Sequence, residues 1–266
     1  MILAPDARIV SRLRPSPHGN ERRGAGVPDM ILLHYTGMTS GKAAEDWLCD
    51  PRAQVSAHYL VHEDGEVVQM VSEAARAWHA GAGSWQGRED VNSQSIGIEI
   101  VNPGHEHGYR AFPDVQVASV IELCRDCAHR WTIRPERVLA HSDTAPSRKE
   151  DPGELFPWDK LFQAGIGHWR ESAAPSRGPV LERGSSGHQV DAFQRLLAAY
   201  GYAVDPTGTF DDATVFATIA FQRHFRQARV DGRADASTIE TLRALYAALD
   251  RRAVTRPSHS SDCDIR

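Results

Sequence analysis

Two histidines stand where apolar runs stop: His34 in DMILLHYTG and His141 in RVLAHSD. Ten residues beyond His141 comes Asp151, in a loop stiffened by Pro146 and Pro152. Two imidazoles and a carboxylate are a donor set that a catalytic zinc takes, with a further position left for water or substrate. If the two apolar runs are neighbouring strands, both imidazoles emerge at one sheet edge and Asp151 folds back as third ligand. The same residues also read as unrelated strand-end histidines and an aspartate capping a turn before Pro152, and spacing alone does not choose between the two readings.

Glu99 adds weight to the first. The stretch SIGIEIVN alternates, with Ile96, Ile98 and Ile100 on one face and Gly97, Glu99 and Val101 on the other. A carboxylate inside an apolar strand is costly to bury unpaired, so it needs a partner or a task. Desolvation raises its pKa, which suits a general base that takes a proton and later returns it. An exposed sheet face is the plainer alternative. Lys149, in the loop before Asp151, reads either as a fixed ammonium that stabilises an oxyanion or as a solvated surface lysine.

Other titratable groups do less. His58 and His62 lie on a strand-like stretch, where four residues span about 13 Å, too far for one metal. His105, His107, Asp143 and Glu150 read as solvated. Cys124 and Cys127 form a CxxC with no second pair, and Cys124 falls on an apolar helical stripe as a small hydrophobe.

The elements that must carry these residues alternate. DMILLHYTG and SIGIEIVN read as strands, as does RVLAHSD, and SAHYLVHEDGEVVQMV reads as two strands about an Asp64-Gly65 turn. GKAAEDWLCD and PDVQVASVIELCRDCAHRW read as helices, the second with Val117, Val120, Ile121, Cys124, Ala128 and Trp131 at helical spacing. The expected fold is α/β, a mixed central sheet flanked by helices, over residues 1–170. Residues 171–180, small and Pro-containing, read as a linker. Residues 181–249 show three helix patterns with apolar stripes, among them Val190, Phe193 and Leu197, and are expected to form a small all-α domain with its own core. The stretch 250–266 reads as a frayed tail.

The chain has 266 residues and a formal charge of −5, so no basic surplus points to nucleic acid or an anionic membrane. No apolar run is long enough to span a bilayer. The N-terminal stretch has neither the basic region nor the uninterrupted apolar run of a secretory signal, and four scattered cysteines do not form a disulfide framework. The expected compartment is the cytoplasm, with the periplasm or cell envelope as the alternative.

ILLHYT, VSAHYLVHEDGEVVQMV, RAWHAG, WQGREDVNSQSIGIEIVN and HSDTAPSRKEDPGELFPW together cover most of residues 28–162. In these motifs and their order the chain resembles the zinc-dependent N-acetylmuramoyl-L-alanine amidases of type 2, relatives of phage lysozyme-like amidases and peptidoglycan recognition proteins. The resemblance implies that His34, His141 and Asp151 bind zinc, that Glu99 activates the water and that Lys149 stabilises the transition state. It places Trp78, His79, Arg88 and Asn92 in segments bordering the substrate cleft. In the recognition proteins the third ligand is often Cys, whereas here it is Asp151. LERGSSGHQVDAFQRLL, GTFDDATVFATIAFQ and VDGRADASTIETL resemble the three-helix peptidoglycan-binding domain. The implied activity is hydrolysis of the amide between the lactyl group of N-acetylmuramic acid and L-alanine, with peptidoglycan or muropeptide as substrate. Two other classes stay open: a noncatalytic peptidoglycan-binding or sensing protein, and a structural zinc site closed by a fourth ligand, for which Asp143 is nearest.

Overall fold

The computed structural model describes residues 3–24, 26–174 and 178–254. Within the expected linker, residues 175–177 lie outside the described residues, as do residues 255–266 of the expected tail.

The central sheet has strands β1 (Arg12–Leu13), β3 (Met30–Tyr35), β4 (Tyr59–Val61), β5 (Val67–Gln69), β7 (Ser95–Ile100) and β8 (Val138–Ala140), in the order β1-β5-β4-β7-β3-β8. A separate ribbon pairs β2 (Gly19–Glu21) with β6 (Ala75–Ala77). The β4–β5 pair is antiparallel and every other pairing in the sheet is parallel, so the sheet is mixed, as the alternating elements predict. Among the described residues, the helices of the first part are α1 (Gly41–Leu48), α2 (Val91–Gln94), α3 (Asp114–Trp131), α4 (His141–Thr144) and α5 (Trp158–Gln163). Helix α1 begins at Ser40, whose hydroxyl accepts from the Ala43 amide at 3.2 Å, satisfying one orphan donor of the first turn.

The apolar run of β3 is continuous because both of its faces are covered. Ile31 and Leu33 join Ile96, Ile98 and Ile100 of β7 against Val117, Val120, Leu123 and Cys124 of α3. Met30 and Leu32 point the other way. They share a buried cluster with Trp85, Leu139 and the apolar faces of α6 (His188–Tyr200), α7 (Asp212–Phe225) and α8 (Ala236–Val254), including Val190, Phe193, Leu197, Phe221 and Phe225. The core of the three C-terminal helices is therefore continuous with this face of the sheet. Helix α8 also runs on to Val254, beyond the expected end at residue 249.

One buried carboxylate ties α3 to the strands. Glu73 accepts from Tyr59 Oη at 2.6 Å, Arg130 Nε at 2.7 Å, Trp131 Nε1 at 2.6 Å and Cys127 Sγ at 3.1 Å. Burial alone would raise its pKa, but Arg130 and the other donors outweigh it and hold the group down to about 2. The CxxC thiols are both buried, and Cys127 serves this cluster. Among the described residues no helix is long and apolar enough to cross a membrane.

Candidate metal centre and catalytic cleft

Parallel pairing of β3 with β8 sets Leu33 opposite Ala140, so the residues that follow, His34 near the end of β3 and His141 just past β8, stand at the same end of the sheet. His141 opens the four-residue helix α4 rather than closing the strand. The loop that follows returns Asp151, fixed by the Ser142 amide donating to the Asp151 carbonyl at 3.0 Å. Three ligand atoms converge. His34 Nδ1 lies 2.9 Å from His141 Nδ1, and each lies 3.0 Å from Asp151 Oδ2. Among the described residues this is the one group of three side chains with metal-ligand spacing.

The outer nitrogens fix which way the lone pairs point. His141 Nε2–H donates to the Ala80 carbonyl at 2.8 Å, which leaves its Nδ1 lone pair facing Asp151. For His34 the chain is longer. Ser95 Oγ donates to the Val91 carbonyl at 2.6 Å, His79 Nε2–H donates to Ser95 Oγ at 3.3 Å, and His79 Nδ1 accepts from His34 Nε2–H at 3.0 Å. His34 Nδ1 is then also a free lone pair aimed inward. Such outer partners set tautomer and ring orientation in metal sites. A tetrahedral ion with metal–nitrogen distances of about 2.0 Å sets its ligands about 3.3 Å apart, close to the separations here. The donor set and its lone pairs fit zinc.

The charges agree. Burial and then the neighbouring His141 push His34 down to about 4, so it is neutral near pH 7. Burial opposes ionisation of Asp151, but the two imidazoles overcome it and hold the carboxyl far below its usual range. Gly97 makes room for the arrangement, since a Cβ there would come within 2.4 Å of the His79 ring.

Strand register places Glu99 directly opposite His34. Its Oε2 is buried with no hydrogen-bond partner. Burial first, then the Asp151 charge, push its pKa well above the usual carboxylate range, while Lys149 pulls the other way. Glu99, Lys149, His79 and the three ligand residues all line one cleft of about 840 Å³.

Of the four residues expected to border the substrate, His79 alone lines this cleft. Trp78, in the bend that follows β6, does not line it and donates from Nε1 to Asn20 Oδ1 at 2.9 Å. Asn92 is buried, and its Oδ1 accepts from the His79 and Ala80 amides at 2.9 and 2.8 Å, holding the backbone that steers both histidine ligands. Arg88 is on the surface, paired with Asp29 at 2.7 Å.

Two groups read from the sequence as solvated, His105 and Asp143, are not, while a third, Glu150, is exposed as expected yet stands at the cleft. His105 lines the cleft, 3.0 Å from Tyr35 Oη and 3.2 Å from Glu154. Glu150 lines the same cleft and is ion-paired. Asp143 is fully buried, accepts from the Ala140 amide at 2.8 Å and from Tyr202 Oη at 2.6 Å, and meets His224 Nδ1 at 2.7 Å. Both its oxygens are thus engaged away from the histidine ligands, and it does not close the site as a fourth ligand. Sequence reasoning also misses Phe216, Ile219 and Arg223, which bring α7 into the cleft wall. The one signal was polar Arg223 and His224 inside the apolar pattern FQRHF, where a buried charge calls for a partner.

A mixed sheet and the loop at its edge that bring two histidines, an aspartate and a glutamate with an unpartnered oxygen to one cleft define a metallohydrolase-type enzyme. The family model described as N-acetylmuramoyl-L-alanine amidase matches residues 24–154, and one for a peptidoglycan binding domain matches residues 186–242. The chain is 40% identical over 231 residues to N-acetylmuramoyl-L-alanine amidase AmiD of Escherichia coli, covering 81% of each. It is 33% identical over 178 residues to the 1,6-anhydro-N-acetylmuramyl-L-alanine amidase AmpD of the same species, covering 60% of this chain and 95% of that one. Among solved structures, AmiD in complex with anhydro-N-acetylmuramic acid-L-Ala-D-gamma-Glu-L-Lys superposes with a TM-score of 0.70 at 33% identity, covering 86% of this chain and 93% of that chain. AmpDh3 of Pseudomonas aeruginosa with anhydromuramic pentapeptide gives 0.68 at 29% identity, covering 93% and 99%. The chain belongs to the N-acetylmuramoyl-L-alanine amidase family and hydrolyses the amide between N-acetylmuramic acid and L-alanine.

Proposed function

We propose that the metal is zinc, held by His34 Nδ1, His141 Nδ1 and Asp151 Oδ2, and that the substrates include soluble muropeptides ending in anhydro-N-acetylmuramic acid. The observation that carries the reading is the register of β3 and β7. It sets the unpaired Glu99 carboxylate beside three inward-facing donor atoms no more than 3.0 Å apart. The substrate form is supported by the two related amidases whose structures contain anhydromuramic peptides.

Zinc, when bound, supplies Lewis-acid polarisation of the lactyl carbonyl and makes water more acidic. Glu99 takes the proton from the attacking water. Its pKa, raised by burial, favours holding that proton until it passes to the nitrogen of L-alanine as the C–N bond breaks. The ammonium of Lys149 opposes the negative charge that grows on the carbonyl oxygen. His79 and the Ala80 carbonyl hold the ligand rings so that no reorientation is needed at that moment.

The test is incubation of the purified chain with anhydromuropeptide and mass analysis of the products. The expected result is free stem peptide and free anhydro-N-acetylmuramic acid, lost on chelation, restored by zinc, with one zinc per chain. Turnover by demonstrably metal-free protein overturns the scheme.

A further inference from the structure

The loop from His141 to Asp151 carries two of the three ligands and Lys149, yet few of its own backbone bonds hold its far half. Lys149 and Arg148 amides both donate to the Ala145 carbonyl at 3.0 Å, which shapes the turn but does not anchor it to the sheet. Besides the Ser142–Asp151 backbone bond and the Arg148 guanidinium, which donates to the Ala80 carbonyl at 2.8 Å, further anchoring comes from outside the loop. Glu150, between Lys149 and Asp151, is 48% exposed, and its Oε1 meets Arg223 Nη2 at 3.1 Å. Arg223 Nε also lies 3.5 Å from Glu154 Oε2, and Arg223 itself is only 14% exposed. On the opposite side His105 meets the same two carboxylates, Nδ1 at 3.3 Å from Glu150 and Nε2 at 3.2 Å from Glu154. Glu150 and Glu154 are like charges beside the ionised Asp151, so without a cation between them they repel each other and the ligand.

Arg223 does not act alone. Its neighbour His224 grips Asp143 at 2.7 Å, and Asp143 in turn holds the Ala140 amide at the start of the loop. Just past the end of α7, Gln227 Nε2 donates to the Glu154 and Phe156 carbonyls, both at 2.7 Å. Helix α7 and the residue behind it thus hold the ligand loop before, within and after its metal-binding stretch.

We propose that α7 of the C-terminal helical module is a positioning element of the metal centre, with Arg223 as the positioning residue that sets Asp151 and Lys149 through Glu150 and Glu154. The inference rests on the zinc reading above. Outer partners of metal ligands, when removed, cost about 10- to 100-fold in metal affinity or activity. Arg223 meets Glu150 through Nη2 and stands within ion-pair reach of Glu154 through a buried Nε that makes no hydrogen bond, a planar arrangement that a lysine ammonium reproduces only in part.

The experiment uses the full chain and the variants Arg223→Ala, Arg223→Lys and Glu154→Gln, the last removing the gripped charge with little change of shape. Zinc affinity is read by competition with a chromophoric chelator, site geometry by the visible absorption of the cobalt(II) form, and kcat and KM on soluble anhydromuropeptide. The expected result for Arg223→Ala is a loss of about tenfold in zinc affinity and in kcat, with an altered cobalt spectrum and little change in KM. Arg223→Lys recovers part of both, and Glu154→Gln shifts both in the direction of Arg223→Ala. Unchanged zinc affinity and kcat in folded variants overturn the inference, as does a rise in KM alone, which would make Arg223 a substrate contact. A parent chain that binds no zinc overturns the zinc reading and this inference together, whereas a zinc-binding parent with an equally tight Arg223→Ala variant overturns the inference only.

Discussion

The candidate site is built from two halves held in different ways. His34 and Glu99 sit on adjacent strands, and a parallel ladder of backbone bonds sets one opposite the other. Asp151 and Lys149 sit in a loop whose position depends on side chains, among them a histidine that meets Asp143 from 81 positions further along the chain. Backbone register is all-or-none, because a slip of one residue would turn Glu99 to the other face. A side-chain grip is graded and can be loosened one contact at a time. The strand half should therefore fail through chemistry, and the loop half through geometry and stability.

The largest effect is expected in the strand half. Glu99→Ala should lower kcat by about 10³-fold, the scale of a positioned acid–base group, while zinc binding and the unfolding temperature stay close to the parent. Metal analysis and steady-state kinetics on the same preparation check this, and an active, zinc-loaded variant would remove Glu99 from its role. In the loop half, Asp143→Ala leaves His224 and Tyr202 buried without their partner. It should destabilise the folded chain by about 4 kcal/mol, measured by urea unfolding. A loss below about 1 kcal/mol would show that the grip is not stabilising.

The smallest effect concerns a carboxylate outside both halves. The Glu73 carboxyl has a pKa held down to about 2 in the fold and an ordinary value near 4.5 when unfolded. Its contribution, about 3 kcal/mol at most, is fully present above pH ~4.5 and is lost as pH falls from there through 2. The stability gap between the parent and Glu73→Gln should be flat from pH 7 to 5 and shrink below that. A gap that does not change with pH would mean that the charge on Glu73 contributes nothing.

The same division explains what could be read from the residues. Apolar runs and alternation mark β3, β7 and α3, and the polar exceptions at their ends and within them, His34 and Glu99, stand out against that pattern. Helices α2, α4 and α5, of four, four and six residues, are too short to show a period. Asp143 looked solvated because Tyr202 and His224, its partners, are remote in sequence. Trp78 and His79 lie in one motif, yet the chain bends at Trp78 and sends the two side chains to different partners, Asn20 and His34, so membership of the motif does not tell which one lines the cleft.

The cluster that joins Met30, Leu32 and Leu139 of the sheet to the apolar faces of α6, α7 and α8 bears on how the enzyme meets a polymer. A catalytic unit on a loose leash samples every bond within a radius set by linker length. Here anchor and blade are packed on one shared buried core. If the C-terminal helices grasp the wall, the blade falls at a fixed distance and angle from the grasp, and linker length has no say in which bonds come within reach.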